Sequence, residues 1–128
     1  MRFADKLRCD APTKAEIKEQ ELLKKRQREE RIEAFFSKEF ETELTLILRN
    51  CEEANRRGEK QLYSSGHHYL SCILPGPGDS LLNLKEKQAY CDRMERELRD
   101  SLKAEGFKRV RVSVDSVTSQ LYYSLSWK

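Results

Sequence analysis

The stretch RVRVSVDSVTSQLYYSLSW, residues 109–127, contains two short runs in which apolar and polar residues alternate. Three valines alternate with polar residues in Val110–Val114, and the alternation resumes in Leu121–Trp127. A period of two is typical of a strand that buries one face. The residues between the two runs are mostly polar and suit a turn. The stretch therefore predicts a β-hairpin.

Two helices with apolar stripes precede the hairpin and supply the rest of the predicted core. The first has apolar residues at spacings of three and four and stops at Gly58. Its stripe consists of Phe36, Phe40, Leu44, Ile47, Cys51 and Ala54. The second helix has Asp79 or Ser80 as its cap and stops at Gly106. Its inward stripe consists of Leu84, Cys91, Met94, Leu98 and Leu102, with Tyr90 alongside.

A further strand is predicted from His67 to Leu74, where residues again alternate. Strand geometry places His68, Leu70, Cys72 and Leu74 on one face, which is the better candidate for the core, with His68 at its edge. The two prolines and two glycines of residues 75–78 end this strand in a loop.

The predicted order of elements is helix, helix, strand, helix, strand, strand. A three-stranded sheet packed against two helices buries all the apolar stripes together. The sequence thus predicts an α+β fold in which a charged N-terminal helix precedes an α-β-α-β-β domain. We divide the chain into a flexible leader at residues 1–12, a charged helical extension at 13–34 and an α+β core domain at 35–128.

The charged extension begins with a helix signal. Thr13 and Glu16 have the spacing of a capping box, in which each side chain accepts a hydrogen bond from the other residue's backbone N–H. Strong helix formers with few apolar residues follow from Lys14 to Glu33. This segment is either a solvated helix held by charge pairs or an arm that contacts a partner. Ser37 either caps a new helix or lies within a continuous one.

Composition restricts the class of protein. Charged residues make up 37% of the chain, yet 25 basic and 22 acidic side chains leave a net charge of only +3. No apolar run approaches the roughly 18 residues of a membrane span, and residues 1–10 lack the apolar stretch of a signal peptide. The cysteines form no CxxC pair, which disfavours a disulfide framework and a zinc site. We expect a cytoplasmic protein without a metal or cofactor.

The sequence offers little support for catalysis. His67 and His68 are the only histidines, and neighbours on a strand point to opposite faces, so one substrate is not expected to meet both. No nucleophile elbow, zinc-protease helix, Walker loop or dinucleotide-binding motif is present. The loop at residues 75–78 lacks the backbone donors and the lysine of a phosphate cradle. We therefore predict no enzyme activity and no catalytic residues.

Basic residues near tyrosines are the best candidate for a binding surface. Basic side chains neutralise phosphates, and tyrosine rings stack on exposed bases. The predicted partner-binding residues are Lys24, Lys25, Arg26, Arg28, Arg31, Arg109, Arg111 and Tyr122. Strand alternation divides the basic residues Lys108, Arg109 and Arg111, and the tyrosine pair Tyr122 and Tyr123, between two faces, so only part of the hairpin set can share a surface.

The C-terminal part of the chain resembles a group of small phage proteins. Gly106 and Phe107 follow a leucine-rich helix, and a valine strand leads to Leu121–Trp127. These features look like the accessory proteins of phages and prophages, and the resemblance covers residues 38–128. Some such proteins inhibit host defence, including anti-CRISPR proteins. The resemblance implies a host protein or ribonucleoprotein effector as the partner.

Two functions follow from these patterns. The first is a non-catalytic interaction protein of phage or mobile-element type, in its sharpest form an inhibitor that binds a host CRISPR nuclease directly. The second is a small nucleic-acid-binding protein that uses the basic helix and hairpin residues. A homodimer through the N-terminal helix is a further expectation, since Leu22 and Leu23 are exposed if that helix leaves the core.

Overall fold

The computed structural model describes residues 2–11, 13–64, 68–74 and 81–128. The elements in these residues are α1 (Phe3–Asp10), α2 (Lys14–Arg56), β1 (Gln61–Tyr63), α3 (Leu84–Ala104), β2 (Arg109–Val114) and β3 (Leu121–Ser126). The chain divides into two compact units, residues 1–33 and 34–128. The combination of long helices with a small antiparallel sheet confirms the predicted α+β fold class.

The first unit contains a helix that the sequence analysis did not predict. We expected residues 1–12 to form a leader without regular structure, but Phe3–Asp10 form α1. An ion pair links Arg8 to Asp5 one turn earlier, at 3.6 Å. The apolar side chain of Leu7 is 55% exposed. Because so short a helix buries no stripe, its sequence shows no periodicity by which it could be predicted.

Helix α2 is continuous from Lys14 to Arg56, so Ser37 lies inside one long helix and does not cap a second one. Its start confirms the predicted capping box. The Thr13 N–H donates to Oε2 of Glu16, and the Glu16 N–H donates to Oγ1 of Thr13, each over 3.2 Å. Gly58 has a φ of 82°, the left-handed conformation in which a glycine ends a helix, as predicted.

The three strands form one antiparallel sheet in the order β1-β3-β2. In the central strand β3, Leu125 lies opposite Leu62 of β1 and opposite Val110 of β2. Since β1 and β2 are both antiparallel to β3, they run in the same direction on either side of it. The hairpin of β2 and β3 and its turn at residues 115–120 confirm the prediction from the sequence.

The strand predicted at His67–Leu74 is wrong, and β1 takes its place in the sheet. His67 lies outside the described residues. The described part, residues 68–74, forms isolated bridges at Tyr69 and Ile73 in place of a continuous ladder. One reason is that the Ser71 N–H donates to Oε2 of Glu39 on α2, at 3.0 Å, and not to a neighbouring strand.

The alternation within residues 68–74 nevertheless identified the correct buried face. Leu70 and Leu74 are buried in the core, and His68 lies half-buried at its edge. The loop predicted to follow, at residues 75–80, lies outside the described residues. The side chains were therefore assigned correctly, whereas the backbone pairing was not.

Helix α3 begins later than predicted. Its cap is Asn83, whose Oδ1 accepts a hydrogen bond from the Glu86 N–H at 2.8 Å, while Oε1 of Glu86 accepts one from the Asn83 N–H at 3.0 Å. The predicted caps, residues 79–80, lie outside the described residues. Leu84 was predicted to point inward, but it is 78% exposed because it opens the helix before the packed turns begin.

The other end of α3 confirms the predicted stop. Gly106 has a φ of 93°, and the ring of Phe107 packs edge-on against Trp127 with the centroids 6.1 Å apart. The indole N–H of Trp127 donates to Oδ1 of Asn55 on α2, at 3.2 Å. This contact joins the end of the sheet to the end of α2.

The core of the second unit lies between α2, α3 and one face of the sheet. Phe36 of α2 meets Tyr90 of α3 edge to face, with the centroids 5.3 Å apart. Two members of the predicted α2 stripe, Phe40 and Leu44, are only half-buried. The buried hydrophobic residues are Phe36, Ile47, Cys51, Ala54, Leu70, Leu74, Tyr90, Cys91, Met94, Leu98, Leu102, Val112, Leu121 and Leu125.

Two leucines of α3 provide a test of this packing. Leu98 is fully buried, whereas Leu84 is 78% exposed. Leu98→Ala should lower the free energy of unfolding by about 2–5 kcal/mol, because it removes buried methyl groups and leaves a cavity. Leu84→Ala should change it by less than about 0.5 kcal/mol. Urea denaturation followed by circular dichroism measures both values, and equal losses would show that the assigned face of α3 is wrong.

Candidate functional site

The sheet has one face against the helices and one face that points away from them. In β2, exposed residues alternate with less exposed ones, and the register places alternate residues of β3 and two residues of β1 beside the exposed set. We call this surface the outer face and define it by Gln61, Tyr63, Arg109, Arg111, Ser113, Tyr122, Ser124 and Ser126. Serines occupy much of its middle, and their short side chains leave space between the longer tyrosine and arginine side chains.

An open groove of about 500 Å³ lies on the outer face. Tyr63, Ser124 and Arg111 lie opposite one another on the three strands, and Tyr122 lies in the neighbouring row. Arg99 of α3 also lines the groove. Among the described residues, the lining has two arginines and no carboxylate. The charge of this surface therefore favours an anionic ligand.

The two tyrosines of the groove lie along the surface of the sheet. The hydroxyl of Tyr63 donates to Oε1 of Gln61 at 3.2 Å, and the hydroxyl of Tyr122 donates to Oε1 of Gln120. Each acceptor is two residues earlier in the chain, so each ring follows its strand and turns one face to solvent. Since β1 and β3 are antiparallel, the rings lean away from each other and leave the groove open between them.

A third tyrosine extends this surface. Tyr69 forms an isolated antiparallel bridge with Gln120, which places its side chain on the same side of the sheet as Gln120 and Tyr122. Tyr63, Tyr69 and Tyr122 are 63%, 56% and 43% exposed. Tyr63 pairs with Ser124 and Tyr69 pairs with Gln120. These two partners are four residues apart, which corresponds to roughly 14 Å along an extended chain. Exposed aromatic rings in such a row are the usual platform on which unpaired bases stack.

The structure brings together some of the predicted binding residues and adds others. Arg109, Arg111 and Tyr122 share the outer face, as predicted for part of the hairpin set. Tyr123 belongs to the opposite face, where its hydroxyl accepts a hydrogen bond from Nδ2 of Asn50 at 3.4 Å. Sequence reasoning missed Tyr63 because Gln61–Tyr63 is too short to show strand periodicity.

The other predicted residues lie in the first unit, on α2. Lys24, Lys25 and Arg26 are exposed, and Arg28 and Arg31 are half-buried. The outer face belongs to the second unit. The predicted set is thus divided between two compact units of the chain, and we treat each part as a separate surface.

Two carboxylates of α2, one helical turn apart, hold residues 68–74 in place. Oε2 of Glu43, which is only 6% exposed, lies 2.5 Å from Nε2 of His68. Glu39 accepts hydrogen bonds from the Ser71 N–H and from the Tyr90 hydroxyl, at 3.0 and 2.6 Å. Burial raises the pKa of the Glu39 carboxyl above its usual value, although both hydrogen bonds oppose this shift.

These carboxylates explain the position of His68, whose role the sequence left open. Sequence reasoning did not select Glu43, although it lies between Phe40 and Ile47 on the apolar stripe of α2. A charged residue within an apolar stripe is the sequence feature that could have indicated this pair, because a buried carboxylate needs a partner. The pair fastens His68 to α2 and gives this histidine a structural role.

No family model matches the sequence, and no curated protein or solved structure is significantly similar to it. Within the described residues, no three His, Cys, Asp or Glu side chains lie close enough to hold a metal ion. None of the described helices is long and apolar enough to cross a membrane.

The buried carboxylate of Glu43 should matter for stability. Glu43→Ala should lower the free energy of unfolding by about 1–3 kcal/mol, because His68 loses its buried partner. Glu41→Ala, which changes an exposed carboxylate of the same helix, should have an effect below about 0.5 kcal/mol. Thermal and urea denaturation measure the difference. If the two variants are equally stable, the pair does not fasten residues 68–74.

Proposed function

We propose that this chain is a non-catalytic protein that binds single-stranded nucleic acid on its outer face. The observation that carries the proposal is the row of three exposed tyrosines, Tyr63, Tyr69 and Tyr122, beside the arginines of β2. This is the second of the two functions expected from the sequence, with Tyr63 and Tyr69 added. A cytoplasmic location is part of the same proposal and is supported by the free thiols of the chain.

The chemistry of the outer face favours unpaired bases over a duplex. Stacking on tyrosine requires a base whose flat face is accessible, and such bases occur in single strands and loops. The hydrogen bonds of Tyr63 and Tyr122 hold the rings along the strands, so little side-chain freedom is lost when a base stacks on them. Arg109 and Arg111 lie on one side of the tyrosines, where they can neutralise the phosphates of the same strand.

Fluorescence anisotropy with labelled oligouridylate and oligothymidylate tests the proposal. Binding should weaken steeply as salt rises, because phosphate contacts release counterions. Arg111→Ala should lower the slope of log affinity against log salt by about 0.7 for a single strand. Arg96→Ala, which changes an exposed arginine of α3, should leave the slope unchanged. Failure to retain either oligonucleotide at low salt would overturn the proposal.

The stacking contribution has its own test. Tyr122→Ala should weaken binding by about 5- to 150-fold, which corresponds to about 1–3 kcal/mol per stacked base. Tyr122→Phe keeps the ring and should retain most of the affinity. Equal losses in both variants would indicate that the hydroxyl, and not the ring, contacts the ligand.

A second candidate function is protein recognition by the first part of α2. Ile17, Leu22 and Leu23 are 41%, 58% and 56% exposed in a helix that is otherwise rich in charge. Covering such exposed apolar side chains with a protein partner is favourable, because it removes apolar surface from water. The partner is either a second copy of the chain or a host effector, and inhibition of a CRISPR nuclease is the sharpest version of the latter.

Light scattering and a nuclease assay separate these alternatives. If the partner is a second copy, the full chain should have the mass of a dimer, and the double variant Leu22→Lys with Leu23→Lys should be monomeric. A chain that stays monomeric at high concentration excludes the dimer. If the partner is a CRISPR nuclease, excess protein should reduce cleavage, and cleavage unaffected by excess protein excludes this version.

A further inference from the structure

Two cysteines of the second unit, Cys72 and Cys91, lie side by side with very different access to solvent. Their thiols interact with each other, yet Cys72 is half-buried near the surface, whereas Cys91 is completely buried on α3. We propose that they form a reversible dithiol–disulfide site that reacts with low-molecular-weight disulfides. Cys72 is the attacking thiol and Cys91 is the resolving thiol. This site is separate from the outer face and does not depend on the proposed function.

The backbone around Cys72 positions its side chain for this role. The Leu70 N–H donates to the Ser119 carbonyl at 2.8 Å, so residues 68–74 are fastened to the turn before β3. Ser119 is buried and has a φ of 62°, a conformation that non-glycine residues rarely adopt. Its Oγ lies 3.4 Å from the Cys72 sulfur. The strained turn thus presents a hydroxyl to the Cys72 thiol.

The groups around Cys72 favour its thiolate. A hydrogen bond from the Cys91 thiol, together with one from Ser119 and the charge of Lys87, lowers the pKa of Cys72 to about 6, although burial acts in the opposite direction. The same contact with Cys72, together with burial, raises the pKa of Cys91. Glu39 and Tyr90 also lie close enough to interact electrostatically with Cys72. A thiol of low pKa beside a resolving cysteine is the usual arrangement of redox-active pairs.

The reaction is a two-step thiol–disulfide exchange. The Cys72 thiolate attacks one sulfur of the small disulfide, whose sulfur–sulfur bond breaks and releases one small thiol after protonation. Cys91 then gives up its proton and attacks the Cys72 sulfur of the mixed disulfide, which releases the second small thiol. In total, the two protein thiols are oxidised to one disulfide, and the small disulfide is reduced to two thiols.

The other two cysteines serve as internal controls. Cys9 is exposed in α1, and Cys9→Ser removes its reaction with the reagent. Cys51 is buried, and burial raises the pKa of its thiol to about 11, so it should stay reduced. The background for the experiment is therefore the full chain with Cys9→Ser.

Oxidised glutathione is the probe, and intact mass spectrometry with peptide mapping is the measurement. The Cys9→Ser chain should lose two hydrogen atoms in mass, and the mapped disulfide should join Cys72 to Cys91. Adding Cys91→Ser should instead leave one glutathione attached to Cys72. Adding Cys72→Ser should abolish the reaction. No mass change in the folded Cys9→Ser chain, or glutathione attached at Cys51, would overturn the proposal.

The pH dependence gives a readout that does not require either cysteine to be replaced. In the Cys9→Ser chain, the rate at which the fully reduced protein disappears, which reports the first attack by Cys72, should rise with pH up to about 7 and then level off, because most of Cys72 is by then thiolate. Ser119→Ala removes one hydrogen bond to the thiolate and should shift this rise to higher pH. A rate that continues to increase steeply above pH 8 in the unaltered site, as for an ordinary thiol with a pKa of about 8.5, would contradict the assigned role of Cys72.

Discussion

The central strand β3 is the element on which the folded second unit depends. Both of its edges are paired, with β1 on one side and β2 on the other. Its inner face supplies two of the most deeply buried side chains of the core, Leu121 and Leu125. Its first residue also anchors residues 68–74, since the Leu121 N–H donates to the His68 carbonyl at 2.8 Å. A single six-residue strand therefore connects the sheet, the core and the irregular segment.

Residues 68–74 are attached both to the turn before β3 and to α2, and this double attachment positions the side chains of the segment. The turn before β3 binds their backbone, while Glu39 and Glu43 of α2 accept hydrogen bonds from the opposite direction. Burying these carboxylates would be costly without partners, so each one is satisfied by a donor from this segment or from α3. The same attachment places Tyr69 on the outer face and brings Cys72 to Cys91.

The outer face remains uncovered because both long helices of the second unit pack on the other side of the sheet. A sheet covered on one side normally has polar residues on the other, and the serines of β2 and β3 fit that rule. The exposed tyrosines depart from it, since a large ring gains nothing from exposure to water. Their position next to arginines is the feature on which the proposed binding of single-stranded nucleic acid rests.

The sequence by itself determined the local structure of this protein. The alternation in Val110–Val114, the capping box at Thr13 and the stops at Gly58 and Gly106 depend on neighbouring residues, so each could be predicted without knowledge of distant contacts. Only the tertiary structure decided that Gln61–Tyr63, and not residues 68–74, pairs with β3. It also decided which tyrosines join Tyr122 on one surface, because strand pairing depends on backbone donors and acceptors far apart in the chain. For the same reason, the sequence could identify Arg109, Arg111 and Tyr122 as candidate binding residues, but it could not show that Tyr63 and Tyr69 lie on the same surface.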